Sequence, residues 1–96
     1  MADITLHRTH AYGAADARAR LERMLKDFQA AKPDYVQQVT WAGNGATASG
    51  KYFKGQFTVT ETAVDAEIEL IGFAAKLARG IVRERLEQAL ATDFPV

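Results

Sequence analysis

Two histidines at the end of an alternating run raise the question of chemistry in this chain. In LHRTHAYGAADAR, residues 6–18, His7 and His10 are followed by Asp16. Imidazoles and a carboxylate are the parts of a metal site or an acid–base pair. On a continuous strand, however, side chains alternate in direction, so His7 and His10 point to opposite faces. Their Cα atoms then lie roughly 10 Å apart at about 3.3 Å per residue, too far to share one metal. Chelation would need a turn between Thr9 and Tyr12, and two imidazoles fall short of the three protein ligands usual at a catalytic metal. The plainer expectation puts His7 on an open sheet face and makes His10-Ala11-Tyr12-Gly13 a strand-to-helix corner. Asp16 then lies in the first helical turn, where a carboxylate favours the positive end of the helix dipole. His7, His10 and Asp16 are kept as a candidate polar site, and no catalytic residue, metal ligand or cofactor is assigned.

Other chemistry-bearing groups have structural explanations. Ser49, the one serine, lies in a strand-like run outside any G-x-S-x-G setting. Asp65, Glu67 and Glu69 recur at period two, as expected of a solvated sheet face with Lys51 or Lys54 across from it. Gly43-Asn44-Gly45 lacks the spacing of a phosphate loop and reads as a hairpin turn. Lys76, Arg79 and Arg83, three and four apart, form a basic stripe along a C-terminal helix, partly offset by Glu84 and Glu87. Such a stripe suits an anionic surface or partner, and equally a solvated helix back. Gly80 interrupts that helix at a cost of about 1 kcal/mol relative to alanine, which close packing or a bend would explain.

The elements that must position these groups follow from periodicity. Asp3–Thr9 alternates, with Ile4 and Leu6 on one side. Gly13–Lys32 is helical, with Ala14, Ala17, Leu21, Met24, Leu25 and Phe28 in one stripe, and Pro33 ends it. Four strands are expected at Tyr35–Ala42, Ala46–Phe53, Gln56–Glu61 and Val64–Leu70, with turns at 43–45, at Lys54-Gly55 and at Thr62-Ala63. Gly72 breaks the pattern. Phe73 to about Thr92 is a single helix with Phe73, Ala74, Leu77, Ala78, Ile81, Val82, Leu86, Ala89 and Leu90 apolar, and Pro95 closes the chain. The order β-α-β-β-β-β-α with short connections predicts an α+β two-layer sandwich. Its sheet is antiparallel and both helices lie on one face.

Length and composition set the frame. Ninety-six residues make one domain, 1–96, with a modest core. Twelve basic and twelve acidic side chains cancel, which argues against a dedicated nucleic-acid binder. The absence of cysteine removes disulfides, thiolate metal sites and Cys nucleophiles, and suits a reducing compartment. The start MADITLHRTH has no basic region followed by an apolar run, so no signal peptide is expected. Apolar runs such as 70–75 are too short to cross a bilayer. A cytoplasmic protein is expected.

Three segments carry a family resemblance: ITLHRTHAYGAADAR near the start, SGKYFKGQFTV in the middle and IELIGFAAKLARGIVRERLEQAL at the end. Over nearly its whole length the chain resembles the polyhydroxyalkanoic acid system family, also called the polyhydroxyalkanoate granule-region family. His7, His10, Gly13, Gly55, Gly72, Lys76 and Gly80 fit that pattern, and Ile71 ahead of Gly72 departs from it. The family has no established catalytic residues to carry over. The resemblance implies a bacterial setting beside polyester synthase and granule-coat genes. It thus implies a non-enzymatic accessory protein associated with storage-polyester granules or their synthesis machinery. Granule contact would then use Lys76, Arg79 and Arg83 with exposed aromatics such as Tyr12, Trp41, Tyr52 or Phe94. A homodimer would bury Trp41 and an open sheet face. The architecture also resembles a reduced helix-grip domain. That implies a second reading, a small lipid- or acyl-binding module with a pocket lined by Phe57, Ile68, Leu77 and Ile81. A third reading is an enzyme using His7 or His10 as acid–base.

Overall fold

Strand alternation and one buried face decide the architecture. In the computed structural model, which describes residues 3–94, the elements are β1 (Ile4–Thr9), α1 (Gly13–Ala31), β2 (Gln38–Ala42), β3 (Gly45–Ser49), β4 (Phe53–Val59), β5 (Ala63–Leu70), α2 (Phe73–Leu77) and α3 (Arg79–Asp93). The strands form one sheet in the order β1-β5-β4-β3-β2, every neighbouring pair antiparallel. The first strand thus pairs with the last, and the meander between them fills the other side. This is the expected α+β two-layer arrangement. Pro95 lies outside the described residues.

One face of the sheet holds the core. Cross-strand register aligns Leu6, Ala66, Phe57, Ala46 and Trp41 in one inward row. A second inward row runs Ile4, Ile68, Gly55, Ala48, Val39. Ala17, Leu21, Met24 and Leu25 of α1 and Leu86 and Leu90 of α3 are buried with them. The opposite face carries Thr5, His7, Gln56, Thr58, Glu67, Glu69 and Thr47, and is largely polar and wet.

The middle of the sheet is shifted from the sequence expectation. The turn between the third and fourth strands falls at 50–52 rather than at Lys54-Gly55. Two glycines explain it. At Gly50 an added Cβ would lie 2.1 Å from the Tyr35 carbonyl oxygen, so the chain passes directly over the α1–β2 connection there. Gly55 is an inward position within β4, where a Cβ would meet the Phe53 ring and the Ile68 Cδ1 at 2.9 Å. It is glycine because neighbouring core side chains fill its space, not because the chain turns. Gly43 behaves as expected. It has φ +61°, and among the described residues no non-glycine residue has positive φ, so only the first of the two turn residues is left-handed, as in a type II′ hairpin.

The C-terminal helix is two helices. The chain leaves β5 through Gly72 at φ +93°, and the Ile71 N–H is tied to the Tyr52 carbonyl at 2.8 Å. α2 lasts five residues and ends at Ala78, whose N–H is shared between the Ala74 and Ala75 carbonyls at 3.2 and 3.1 Å. Such bifurcation marks a tightened last turn. Gly80 sits just beyond the break, where an added Cβ would meet nothing within 4 Å. Close packing is therefore not its reason.

Candidate functional site

The opening histidines separate as strand geometry demands. His7 lies on the wet face opposite Asp65 in the β1–β5 register, with its Nδ1 2.5 Å from Asp65 Oδ1. His10 turns inward and is 8% exposed. Its Nε2–H donates to the Thr60 carbonyl at 3.1 Å, and its Nδ1 accepts the Tyr12 N–H at 3.2 Å. A carbonyl can only accept and an amide can only donate, so both contacts together specify a neutral ring protonated at Nε2. The ring also lies against Tyr12 and Phe94, with centroids 6.0 and 5.7 Å away. His10 thus closes the corner between β1, the β4–β5 turn and the end of α3. Asp16 stays on the surface of α1, 3.6 Å from Arg20 Nε. The three are not brought together. Among the described residues no three His, Asp or Glu side chains gather in metal-binding geometry.

The aromatic candidates are less exposed than their sequence context suggests. Phe94 is fully buried, its carbonyl accepting a hydrogen bond from Arg8 Nε at 2.9 Å. It is a core residue and not a surface aromatic. Tyr12 is half-buried beneath the Arg20 guanidinium, 3.9 Å from its ring centroid. Trp41 points to the helix side of the sheet, half-buried under Arg18 at 4.5 Å. It therefore lies on the opposite side from the wet face, and one planar contact could not cover both. Tyr52 packs on Tyr35 at 5.9 Å.

The basic stripe straddles the helix break. Lys76 lies in α2, 3.4 Å from Asp3 Oδ1, and Arg79 begins α3. Arg83 pairs with Glu87 at 2.9 Å. All three are exposed. Asp3 also accepts the Leu70 N–H at 2.8 Å, so it fastens the start of β1 to the end of β5 and to α2. That backbone hydrogen bond, aided by Lys76 and Arg79, holds the Asp3 carboxyl below the usual carboxylate value.

Sequence periodicity placed Phe73, Leu77 and Ile81 in the apolar stripe of a core-facing helix, but the fold leaves them outside. They are 79%, 73% and 65% exposed, with Ile71 at 44% beside them. Leu86 and Leu90, by contrast, are 4% and 3% exposed. On α3 they lie about 140° and 180° around from Ile81, at about 100° per residue. Four large apolar side chains exposed within residues 71–81 are unusual on a self-contained domain. The row is flanked by Lys76 and Arg79. A signal was present in the sequence: the apolar positions of 73–90 are too many and too widely spread for one helix face.

An open groove of about 490 Å³ runs between α1 and α3. Its apolar lining includes Met24, Phe28, Val36, Phe53, Val82 and Leu86. Of the four residues expected to line a ligand pocket, Ile81 reaches this groove. Phe57 and Ile68 are sealed in the core, at 1% and 0% exposure, and Leu77 faces outward. The polar rim residues Lys32 and Arg85 carried no signal in the sequence, because they are distant in the chain and line one groove only when α3 folds back along α1.

No helix among the described residues is long and apolar enough to cross a membrane. No curated protein and no solved structure matches the chain. The profile of one family, described as putative polyhydroxyalkanoic acid system protein, matches residues 4–94, from the start of β1 to the buried Phe94. The match spans the sheet, the His10 corner, the exposed row and the groove, and the chain belongs to that family.

Proposed function

We propose that this protein is a non-enzymatic, cytoplasmic accessory of bacterial polyhydroxyalkanoate metabolism that docks on the storage-polyester granule. The observation that supports it is the exposed row Phe73, Leu77 and Ile81. Full burial of each such side chain is worth about 1.5–3 kcal/mol, set against the costs of association. Three of them suit reversible adsorption to an apolar surface. Lys76, Arg79 and Arg83 beside the row add attraction to negative charge at that surface, which salt weakens. The family's link to storage polyester names the apolar surface. The roles of His7 and His10 in this reading are structural.

Sedimentation with native polyester granules tests it, with a matched inert protein as control. The purified protein should bind saturably. The double substitution Phe73→Ser with Leu77→Ser should remove most of the bound fraction while leaving the circular dichroism spectrum unchanged. Charge reversal at Lys76, Arg79 and Arg83 should weaken binding less, and mainly at low salt. Sedimentation no greater than the inert control would end the granule assignment.

A further inference from the structure

The groove between α1 and α3 is polarised along its length. Arg20 Nη1 donates to the Asp93 carbonyl at 2.9 Å and Arg23 Nη2 lies 3.7 Å from Asp93 Oδ1, so the end of α3 meets the middle of α1. The groove is lined by the later half of α1 and by α3 from Ile81 to Asp93, so the helices run antiparallel. One end therefore carries Asp93 and Asp27. There, burial pushes the Asp93 carboxyl up, with Arg23 opposing it and Asp27 adding to it. Away from that end lie Lys32, nine residues beyond Arg23 at the end of α1, and Arg85, eight residues before Asp93 on α3, both lining the groove. From Arg85 to Asp93 the helix rises about 12 Å at 1.5 Å per residue. Neither Lys32 nor Arg85 makes an ion pair with a carboxylate of the chain among the described residues. The negative end is compensated by Arg23; the two cations are not.

We propose that this groove binds a single-chain fatty carboxylate, its alkyl chain between Met24, Phe28, Val82 and Leu86 and its carboxylate on Arg85 and Lys32. The volume lies within the roughly 300–1,000 Å³ of small-molecule sites, and an apolar lining with a few convergent polar groups is their usual make-up. An arginine matches a carboxylate with paired N–H donors. The groove shares Ile81 with the exposed row but not Phe73 or Leu77, and its charged end is Lys32 and Arg85, so it does not rest on granule docking.

Calorimetric titration with decanoate, kept below its micelle-forming concentration, tests the assignment. Binding should be saturable with one site per chain, and decylammonium, with the same chain and the opposite charge, should bind more weakly. Lys32→Glu with Arg85→Glu removes the charged hydrogen-bond donors and sets like charge against the carboxylate, and should weaken decanoate at least about tenfold. Val82→Trp, which fills the groove, should do the same without charge change, and the far-ultraviolet spectrum should stay native in both. Absence of saturable decanoate binding to the wild-type protein would overturn the proposal. So would equal binding by the folded groove variants, or loss of binding on Phe73→Ser with Leu77→Ser instead. A wild-type dimer that Val82→Trp makes monomeric would also overturn it, because a second copy would then fill the groove. Granule sedimentation of Lys32→Glu with Arg85→Glu should be unchanged, which separates failure of this site from failure of docking.

Discussion

Residues 71–81 and 82–94 each carry four large apolar side chains, with opposite fates. In the later segment Leu86, Leu90 and Phe94 are buried, with α3 packed against β1. In the earlier one Ile71, Phe73, Leu77 and Ile81 stand in solvent, and Ala75 is the one residue of α2 that is buried. The difference comes from where the sheet ends. β5 stops at Leu70, Gly72 turns the chain, and the break at Ala78 comes before α3 settles on the sheet. Apolar spacing shows which residues share a helix face. It does not show whether another layer reaches that face.

That contrast can be broken by substitution. The largest effect is expected in the packed half. Phe94→Ala removes a fully buried ring that supports His10 and Tyr12, and should cost about 3–5 kcal/mol in urea denaturation. A cost below 1 kcal/mol would mean that this end of α3 is not core. In the unpacked half the sign should reverse. Gly80→Ala meets open space on a helix and should stabilise by about 0.4–1 kcal/mol through lower unfolded-state entropy. Destabilisation would show that something covers this position in solution.

The smallest effect concerns the tie that holds the unpacked half to the sheet, Asp3 with Leu70 and Lys76, and it depends on pH. The Asp3 pKa is lowered in the folded state, so its charge favours folding above the ordinary aspartate value near 3.9. That contribution is lost as the pH falls through the lowered folded value. Asp3→Asn should therefore be less stable than wild type at neutral pH, and the gap should close below about pH 4. Paired denaturation curves from neutral to acid pH measure it. A gap that persists unchanged in acid would assign the effect to shape rather than to charge.

The two histidines show how much of the site was legible. Alternation alone separated His7 from His10, and the corner at 10–13 formed where expected. The partners of His10 were not legible, because Thr60 and Phe94 lie 50 and 84 positions away along the chain. Register in the middle of the sheet was misplaced for a related reason. Gly55 looks like a turn residue in isolation, and only the Phe53 ring and Ile68 around it show that it is a space left for its neighbours.

Local periodicity by itself determined the number of strands and the place of α1 among them, the apolar face of the sheet and the opposite directions of His7 and His10. Those properties depend on contacts within a few residues, which repeat along the chain at period two or 3.6. Only the tertiary structure decided that α2 and α3 separate at Ala78, that Phe73, Leu77 and Ile81 are exposed while Phe94 is sealed, and that Lys32 and Arg85 line one groove. These depend on how far the sheet extends beneath each helix and on which distant segments it brings together. No local pattern encodes either.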